Sequence, residues 1–340
     1  MKIREYLKLA RSFNAVLTGV SPVMGALAMK QFDILYLFIL FLIGFLGHTY
    51  GFVLNDIIDY RIDKSSKEIS DRPLISGTIS IPQAWIFAIS SMLVAFMIAG
   101  ILCFLTSNYL PLLVLGLSAF FITLYDLVSK KLPFMDILVA IAIFFLILFG
   151  AFFGNPIARS LSDISVLAWI VCLLGAIQVM FMQVVAGGLK DIENDYKRGA
   201  RTAAIALGVR VIDGKLRISK AFKAFAYGIQ IIDMIVVFLP FFIIWNSQGF
   251  GVFHYIQWIL LLFIGFLMFF FSTKLLFMKV FERNYARKFI GLHYITNFMI
   301  VPIMLMRLNP WAGILVFFPA LGFILSNLIL HGTLLQPKTM

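Results

Sequence analysis

A chain of 340 residues that is 62% hydrophobic and only 13% charged, with a mean hydropathy of +1.00, carries more apolar surface than one water-soluble core can bury. This composition excludes a soluble protein. The formal charge of +12 does not point to nucleic acid, because the cations are spread over short connections between apolar runs and form no basic domain.

Taken in chain order, apolar runs of about twenty residues recur, the length that a hydrocarbon layer roughly 30 Å thick requires of a helix. Spans are predicted near 12–31, 34–56, 81–105, 109–128, 134–154, 164–188, 221–246 and 253–279. A proline-interrupted region from about 288 to 331 holds one or two more. The expected fold is therefore all-α, a polytopic transmembrane bundle of nine or ten spans. It is read as a single domain over 1–340, with motif-bearing connections near 57–80 and 189–220. Breakers fall at the expected boundaries: Pro82 and Pro133 stand near helix starts, and Asn155-Pro156 follows the fifth span. The first span is expected to stay in the mature protein, since another follows after a short turn and no small-residue cleavage site separates them. Cys103 and Cys172 lie inside spans without a CxxC spacing, so neither a disulfide framework nor a zinc site is expected.

Lys and Arg set the orientation, because basic connections are retained on the cytoplasmic side. Lys2, Arg4, Lys8 and Arg11 precede the first span. Arg61, Lys64, Lys67 and Arg72 follow the second, Lys130 and Lys131 the fourth, and the segment from Lys190 to Lys223 the sixth. Lys279, Arg283, Arg287 and Lys288 follow the eighth, whereas 106–108 and 247–252 contain no Lys or Arg. The alternation places the amino terminus on the cytoplasmic side of the cell membrane.

Of the sixteen acidic residues, eight fall in two short windows, each starting at the cytoplasmic end of an even-numbered span. The first, after span two, comprises Asp56, Asp59, Asp63, Glu68 and Asp71; the second, after span six, comprises Asp191, Glu193 and Asp195. At about 100° per residue, Asp56, Asp59 and Asp63 lie within about 60° of one another, with Asn55 bordering the same stripe. Asp191 and Asp195 stack one turn apart if helical, and Glu193 points elsewhere. Like charges so arranged repel, and a carboxylate at the bilayer centre costs roughly 2.5–3.5 kcal/mol on insertion scales. Carboxylates solvated beyond a helix end and paired with Arg61, Lys64, Lys190 and Lys197 account for one such cluster, but two on the same side call for a shared cause. Carboxylate and amide oxygens with no His or Cys alongside suit Mg2+ bridging a diphosphate.

The ordered set NDxxDxxxD (Asn55 to Asp63), Asp71-Arg72-Pro73-Leu74, the Tyr125 to Lys131 segment and Lys190-Asp191 through Asp195 resembles the UbiA superfamily of intramembrane prenyltransferases. The resemblance implies a helical bundle around a central cavity and an isoprenyl diphosphate donor. It also implies Mg2+ held by Asn55, Asp59, Asp63, Asp191 and Asp195, with Asp56 close by. The second motif lacks the Gly-Asp step common in several branches, and the stretch after Asp195 leaves room for a span beyond the usual nine.

The expected reaction joins the isoprenyl group to a hydrophobic or aromatic acceptor, with Asp59, Asp63, Asp191 and Asp195 as the catalytic set. Arg72, Lys130, Lys190 and Arg198 are the candidates for diphosphate contacts, and Tyr125 for facing the developing cation with its ring. Each of these cations also fits plain topogenic charge. Asn14, near the start of span one, either lines the cavity mouth or packs helices. His48, eight residues before Asp56, reads more readily as a packing residue on the same side. Gly187-Gly188 lets helices approach or kinks span six. The competing class is an ion- or proton-coupled transporter, which places its acids near the midplane of broken helices and not at span ends.

Overall fold

The structure is a computed structural model and describes residues 2–64, 69–129, 131–155, 158–212, 215–246, 251–280 and 282–333. In chain order come α1 (Lys2–Leu9), α2 (Ser12–Ala28), α3 (Ile34–Ile58), α4 (Tyr60–Asp63), α5 (Ile81–Thr106), α6 (Leu110–Val128), α7 (Asp136–Gly154) and α8 (Val166–Met180). A π-helical stretch, Phe181–Gly187, carries α8 into α9 (Gly188–Lys190), followed by α10 (Ile192–Arg198) and α11 (Ala203–Ala206). Then come a hairpin of β1 (Arg210–Ile212) and β2 (Lys215–Arg217), α12 (Lys220–Ile243), α13 (Val252–Leu276), α14 (Arg283–Leu305) and α15 (Phe317–His331).

Among the described residues, nine helical segments are long and apolar enough to cross a membrane, and Ser12–Ala28 is a shorter apolar helix. At about 1.5 Å per residue, α2 reaches roughly 25 Å, the low end of a spanning length. The region after residue 288 holds two segments, α14 and Pro310–His331. Pro310 opens a 3-10 turn just past Asn309, whose side-chain oxygen accepts the Trp311 N–H at 3.0 Å. Helix starts follow local chemistry: the Asp33 carboxylate caps α3 by accepting the Tyr36 N–H at 2.9 Å, and Gln83 reaches back to the Ser80 N–H at 3.0 Å to open α5. The hairpin was not expected, since three residues per strand are too few to show an alternation; it pairs Arg210 with Arg217, Val211 with Leu216 and Ile212 with Lys215.

The helices gather into two compact units. The first takes Met1–Leu127, Phe145–Ala168 and Phe317–Met340; the second takes Val128–Phe144 and Trp169–Val316. In the first, α2 is buried over most of its length, and small residues let the neighbouring backbones close in on it. A methyl group on Gly25 would fall on the Ile147 carbonyl, and one on Gly150 would fall on the Pro22 carbonyl. One on Gly44 of α3 would lie 2.6 Å from the Thr18 carbonyl. A further apolar nucleus of Leu9, Val53, Leu74, Ile79, Ala84 and Ala88 folds the turn after residue 69 back onto α3 and α5.

In the second unit, an apolar core containing Phe181, Leu189, Ile192, Ala204, Leu276 and Ala286 holds the end of the π-helical stretch and the start of α10. One turn before that stretch, Gln178 donates to Asp233 of α12 in a long contact of 3.5 Å, and Asn297 of α14 donates to the Gln178 carbonyl at 3.5 Å. The Phe181 and His293 rings stack 4.1 Å apart. These polar and ring contacts fix the end of α8 and the first residue of the π-helical stretch against two other helices.

Gly150→Ala is expected to lower stability by about 1–3 kcal/mol, because the methyl meets backbone that cannot rotate away. Gly100→Ala is the control, since a methyl there meets nothing within 4 Å. Thermal unfolding in detergent should show a lower midpoint for the first and an unchanged or higher one for the second.

Candidate active site

The first acidic face forms where α3 runs out of apolar residues. Helix α3 ends at Ile58 and α4 begins at Tyr60, with Asp59 between them. Two backbone bonds bridge this break: the Asp59 N–H donates to the Asn55 carbonyl at 2.9 Å, and the Asp63 N–H donates to the Asp59 carbonyl at 2.9 Å. The helical path therefore continues, and Asp56, Asp59 and Asp63 stay on one face as their spacing requires. All three are buried, at 6%, 7% and 9% exposure.

Burying carboxylates at the edge of a hydrocarbon layer demands counter-charge, and two guanidinium groups supply it. Arg11, in a left-handed turn (φ 46°) between α1 and α2, donates to Asp56 at 2.7 Å. Arg72 donates to Asp63 at 2.7 Å and reaches Asp56 at 3.5 Å. Leu74 and Ile79, packed beneath the turn that carries Arg72, set its position. Below the acids a column of rings descends along α3. The Arg11 guanidinium lies 4.9 Å from the Phe52 centroid, Phe52 stacks on His48 at 4.2 Å, and His48 Nδ1 meets the Thr18 hydroxyl at 2.8 Å.

Asn55 is pinned by its nitrogen. Its Nδ2 donates to Asp126 of α6 at 3.1 Å, which leaves the amide oxygen as the end suited to a cation. The Tyr50 hydroxyl and Thr123 Oγ1, 2.7 Å apart, tie the same two helices one turn deeper. Asp126, buried at 4%, and Arg11 were not singled out as site residues from sequence. Asp126 sits beside Tyr125 in the Tyr125 to Lys131 segment, and its place at the end of an even-numbered span was the available signal. Arg11 was masked by the basic amino terminus. Tyr125 is half-buried, as is Asn14, whose N–H bonds the Arg11 carbonyl at 2.8 Å in the first turn of α2.

The second motif is built by a change of helix geometry. The wider π turn at Phe181–Gly187 shifts the register of the residues after it, and Gly188 lets Ala204 approach, since a methyl there would meet the Ala204 Cβ at 2.9 Å. Leu189 and Ile192 point into the core, so Asp191 between them faces outward, with a side chain 43% exposed and paired to Lys190 at 3.2 Å. The Asp195 N–H donates to the Asp191 carbonyl at 3.0 Å, so the two acids lie one helical turn apart. Gly199, at φ 67°, ends α10. Lys130 and Glu68 lie outside the described residues, as does the side chain of Arg198.

Among the described residues, no three His, Cys, Asp or Glu side chains are gathered as metal ligands. In the first motif the two arginines hold Asp56 and Asp63. The donor set itself, carboxylate and amide oxygens on one face, fits a hard cation such as Mg2+.

Residues 16–280 match the model of the UbiA prenyltransferase family. The chain belongs to this family. It is an intramembrane prenyltransferase and an integral membrane protein. It is 28% identical over 251 residues to the digeranylgeranylglyceryl phosphate synthase of Saccharolobus solfataricus, covering 72% of this chain and 80% of that one. To the synthase of the same name from Thermococcus gammatolerans it is 27% identical over 271 residues, covering 73% and 90%. The fold matches the UbiA homologue of Aeropyrum pernix, solved without ligand, with a TM-score of 0.67 at 15% identity over 86% of this chain and 97% of that one. It also matches the Archaeoglobus fulgidus homologue solved with GPP and Mg2+, with a TM-score of 0.62 at 15% identity over 94% and 99%.

For this UbiA-family chain, Arg11→Met should cost about 3 kcal/mol in thermal unfolding, because it leaves Asp56 buried without its nearest counter-charge. Adding Asp56→Asn should restore most of that stability. A double variant no more stable than the single one would show that the pair does not act through charge.

Proposed function

We propose that the chain transfers an isoprenyl group from an isoprenyl diphosphate to the hydroxyl of a lipid acceptor bearing glyceryl phosphate. The observation that carries this reading is the buried oxygen face of Asp56, Asp59 and Asp63 at the end of the second apolar helix. It is supported by a second carboxylate pair, Asp191 and Asp195, after the sixth. If α2, α3, α5, α6, α7 and the segment from α8 to α9 each cross the membrane, the two motifs emerge on the same side. The curated relatives, which are digeranylgeranylglyceryl phosphate synthases, support this acceptor class.

On this reading Asn55, Asp59, Asp63, Asp191 and Asp195 would hold Mg2+, with Asp56 close by, and residues 1–340 act as a single domain. When bound, Mg2+ supplies Lewis-acid neutralisation of the charge that builds on the leaving diphosphate. The chain's own residues do the rest. Arg72, Lys130, Lys190 and Arg198 contact the diphosphate, Asn14 meets the acceptor, and the Tyr125 ring faces the isoprenyl cation. The apolar helices hold the isoprenyl tail and keep water from the cation. The allylic C–O bond breaks with its electron pair leaving on diphosphate. A new C–O bond forms to the acceptor hydroxyl, whose proton passes to a nearby basic oxygen.

Incubating the purified protein with Mg2+, labelled prenyl diphosphates and glyceryl phosphate acceptors, followed by mass analysis of the lipid product, tests this directly. Asp59→Ala and Asp191→Ala should each lower turnover by at least about a hundredfold, and chelation of Mg2+ should abolish it. Turnover retained in both variants overturns the assignment. A product formed only with an aromatic acceptor would overturn the acceptor class while leaving the donor chemistry intact.

The basic connections support placing the amino terminus and both motifs on the cytoplasmic side. Cys103 and Cys172 are buried, so introduced cysteines report topology cleanly. Lys64→Cys should react with an impermeant thiol reagent only in inside-out vesicles, and Ser162→Cys only in right-side-out ones. The reverse pattern would invert the topology.

A further inference from the structure

The second unit carries a groove of about 490 Å³ where α13 gives way to the turn before α14. It is lined by Phe270, Thr273 and Lys274 of α13, Phe277 and Lys279 of the turn, and Tyr285 of α14. Among the described residues, no ion pair involves Lys223, Lys274 or Lys279. The ammonium groups of two of them turn to aromatic faces instead: Lys223 lies 3.8 Å from the Phe277 centroid and Lys274 lies 5.2 Å from that of Phe270. Phe277 and Val280 are 59% and 60% exposed, so greasy and cationic groups alternate along the rim.

The surroundings carry the same sign. From residue 199 to residue 300 there are eleven Lys and Arg against Asp213, Asp233 and Glu282. Of the described acids among these, Asp233 is buried within α12 and Glu282 lines the groove. The β-hairpin joins the turn as well, with Lys215 bridged to Val280 and the Leu216 N–H donating to the Lys279 carbonyl at 3.0 Å. A groove of this size exceeds what a bare phosphate fills. Cations over aromatic rings at a span end match the level at which lipid headgroups lie.

We propose that this groove binds the phosphate-bearing headgroup of an anionic lipid from the surrounding leaflet. Lys274 and Lys279 meet the phosphate, while Phe270 and Phe277 lie against the glycerol and the upper part of the chains. The groove shares its inner wall with the second motif: Met278, which lines it, and Leu276 pack in the same core as Leu189 and Ile192 on either side of Asp191. A bound headgroup therefore braces the segment that carries Asp191.

Native mass spectrometry of the purified full-length protein, titrated with phosphatidylglycerol, phosphatidylcholine or inorganic phosphate, tests the site without relying on turnover. Phosphatidylglycerol should be retained in preference to phosphatidylcholine, and millimolar inorganic phosphate should not displace it. Lys274→Gln with Lys279→Gln should weaken retention about 25-fold, roughly fivefold per lysine near an anionic headgroup. Glu282→Gln should strengthen retention severalfold, a gain that misfolding does not produce. Equal retention of the two lipids, an unchanged double variant, weakened or unchanged retention in Glu282→Gln, or displacement by inorganic phosphate would each overturn the proposal.

Discussion

Three carboxylates buried at the end of a membrane helix set the terms for the rest of the first unit. Asp56, Asp59 and Asp63 need counter-charge, and Arg11 and Arg72 deliver it to Asp56 and Asp63 from opposite directions along the chain. Their positions in turn explain features that look unrelated. The left-handed turn at Arg11 aims its guanidinium at Asp56, and the apolar nucleus under Leu74 and Ile79 holds the loop that presents Arg72. Close packing through glycine seats the middle of α2, from Thr18 to Gly25, on α3 and α7, and Arg11 stands at the start of that helix.

The two motifs are presented by different departures from a regular helix. In α3 the break at Asp59 is bridged by backbone bonds, so the acids keep a helical spacing while sitting past the last apolar turn. In α8 the π turn resets the register after the Gln178 contacts have fixed the helix, and Leu189 and Ile192 then anchor the new direction. A straight helix would carry the register of Gln178 unchanged into Asp191. The local widening lets one segment satisfy both a buried polar contact in mid-span and an outward carboxylate at its end.

Periodicity and composition decided how much was legible in the sequence. The spans were readable because length and hydropathy are local, and the shared face of Asp56, Asp59 and Asp63 because helical spacing survives the break at Asp59. The partners distant in the chain were not. Arg11 and Asp56 are 45 residues apart, Asn55 and Asp126 are 71 apart, and Gln178 and Asp233 are 55 apart. No periodic signal connects such pairs, and Arg11 was hidden among cations that topology already explained. The π turn left only the Gly187-Gly188 pair as a trace, and the hairpin is too short to alternate visibly.

Charge accounting on the proposed reading gives the arginines a second role. Arg11 and Arg72 hold Asp56 and Asp63 on the first motif. A divalent cation added to that face would make it more positive, the change that favours a diphosphate. Arg72, held at 2.7 Å from Asp63, is then the group best placed to exchange a carboxylate partner for a phosphate oxygen. On that reading, the geometry that stabilises the acids before substrate arrives would also receive the anion. Arginine suits both roles, because its planar fork of donors serves either partner without repositioning the chain.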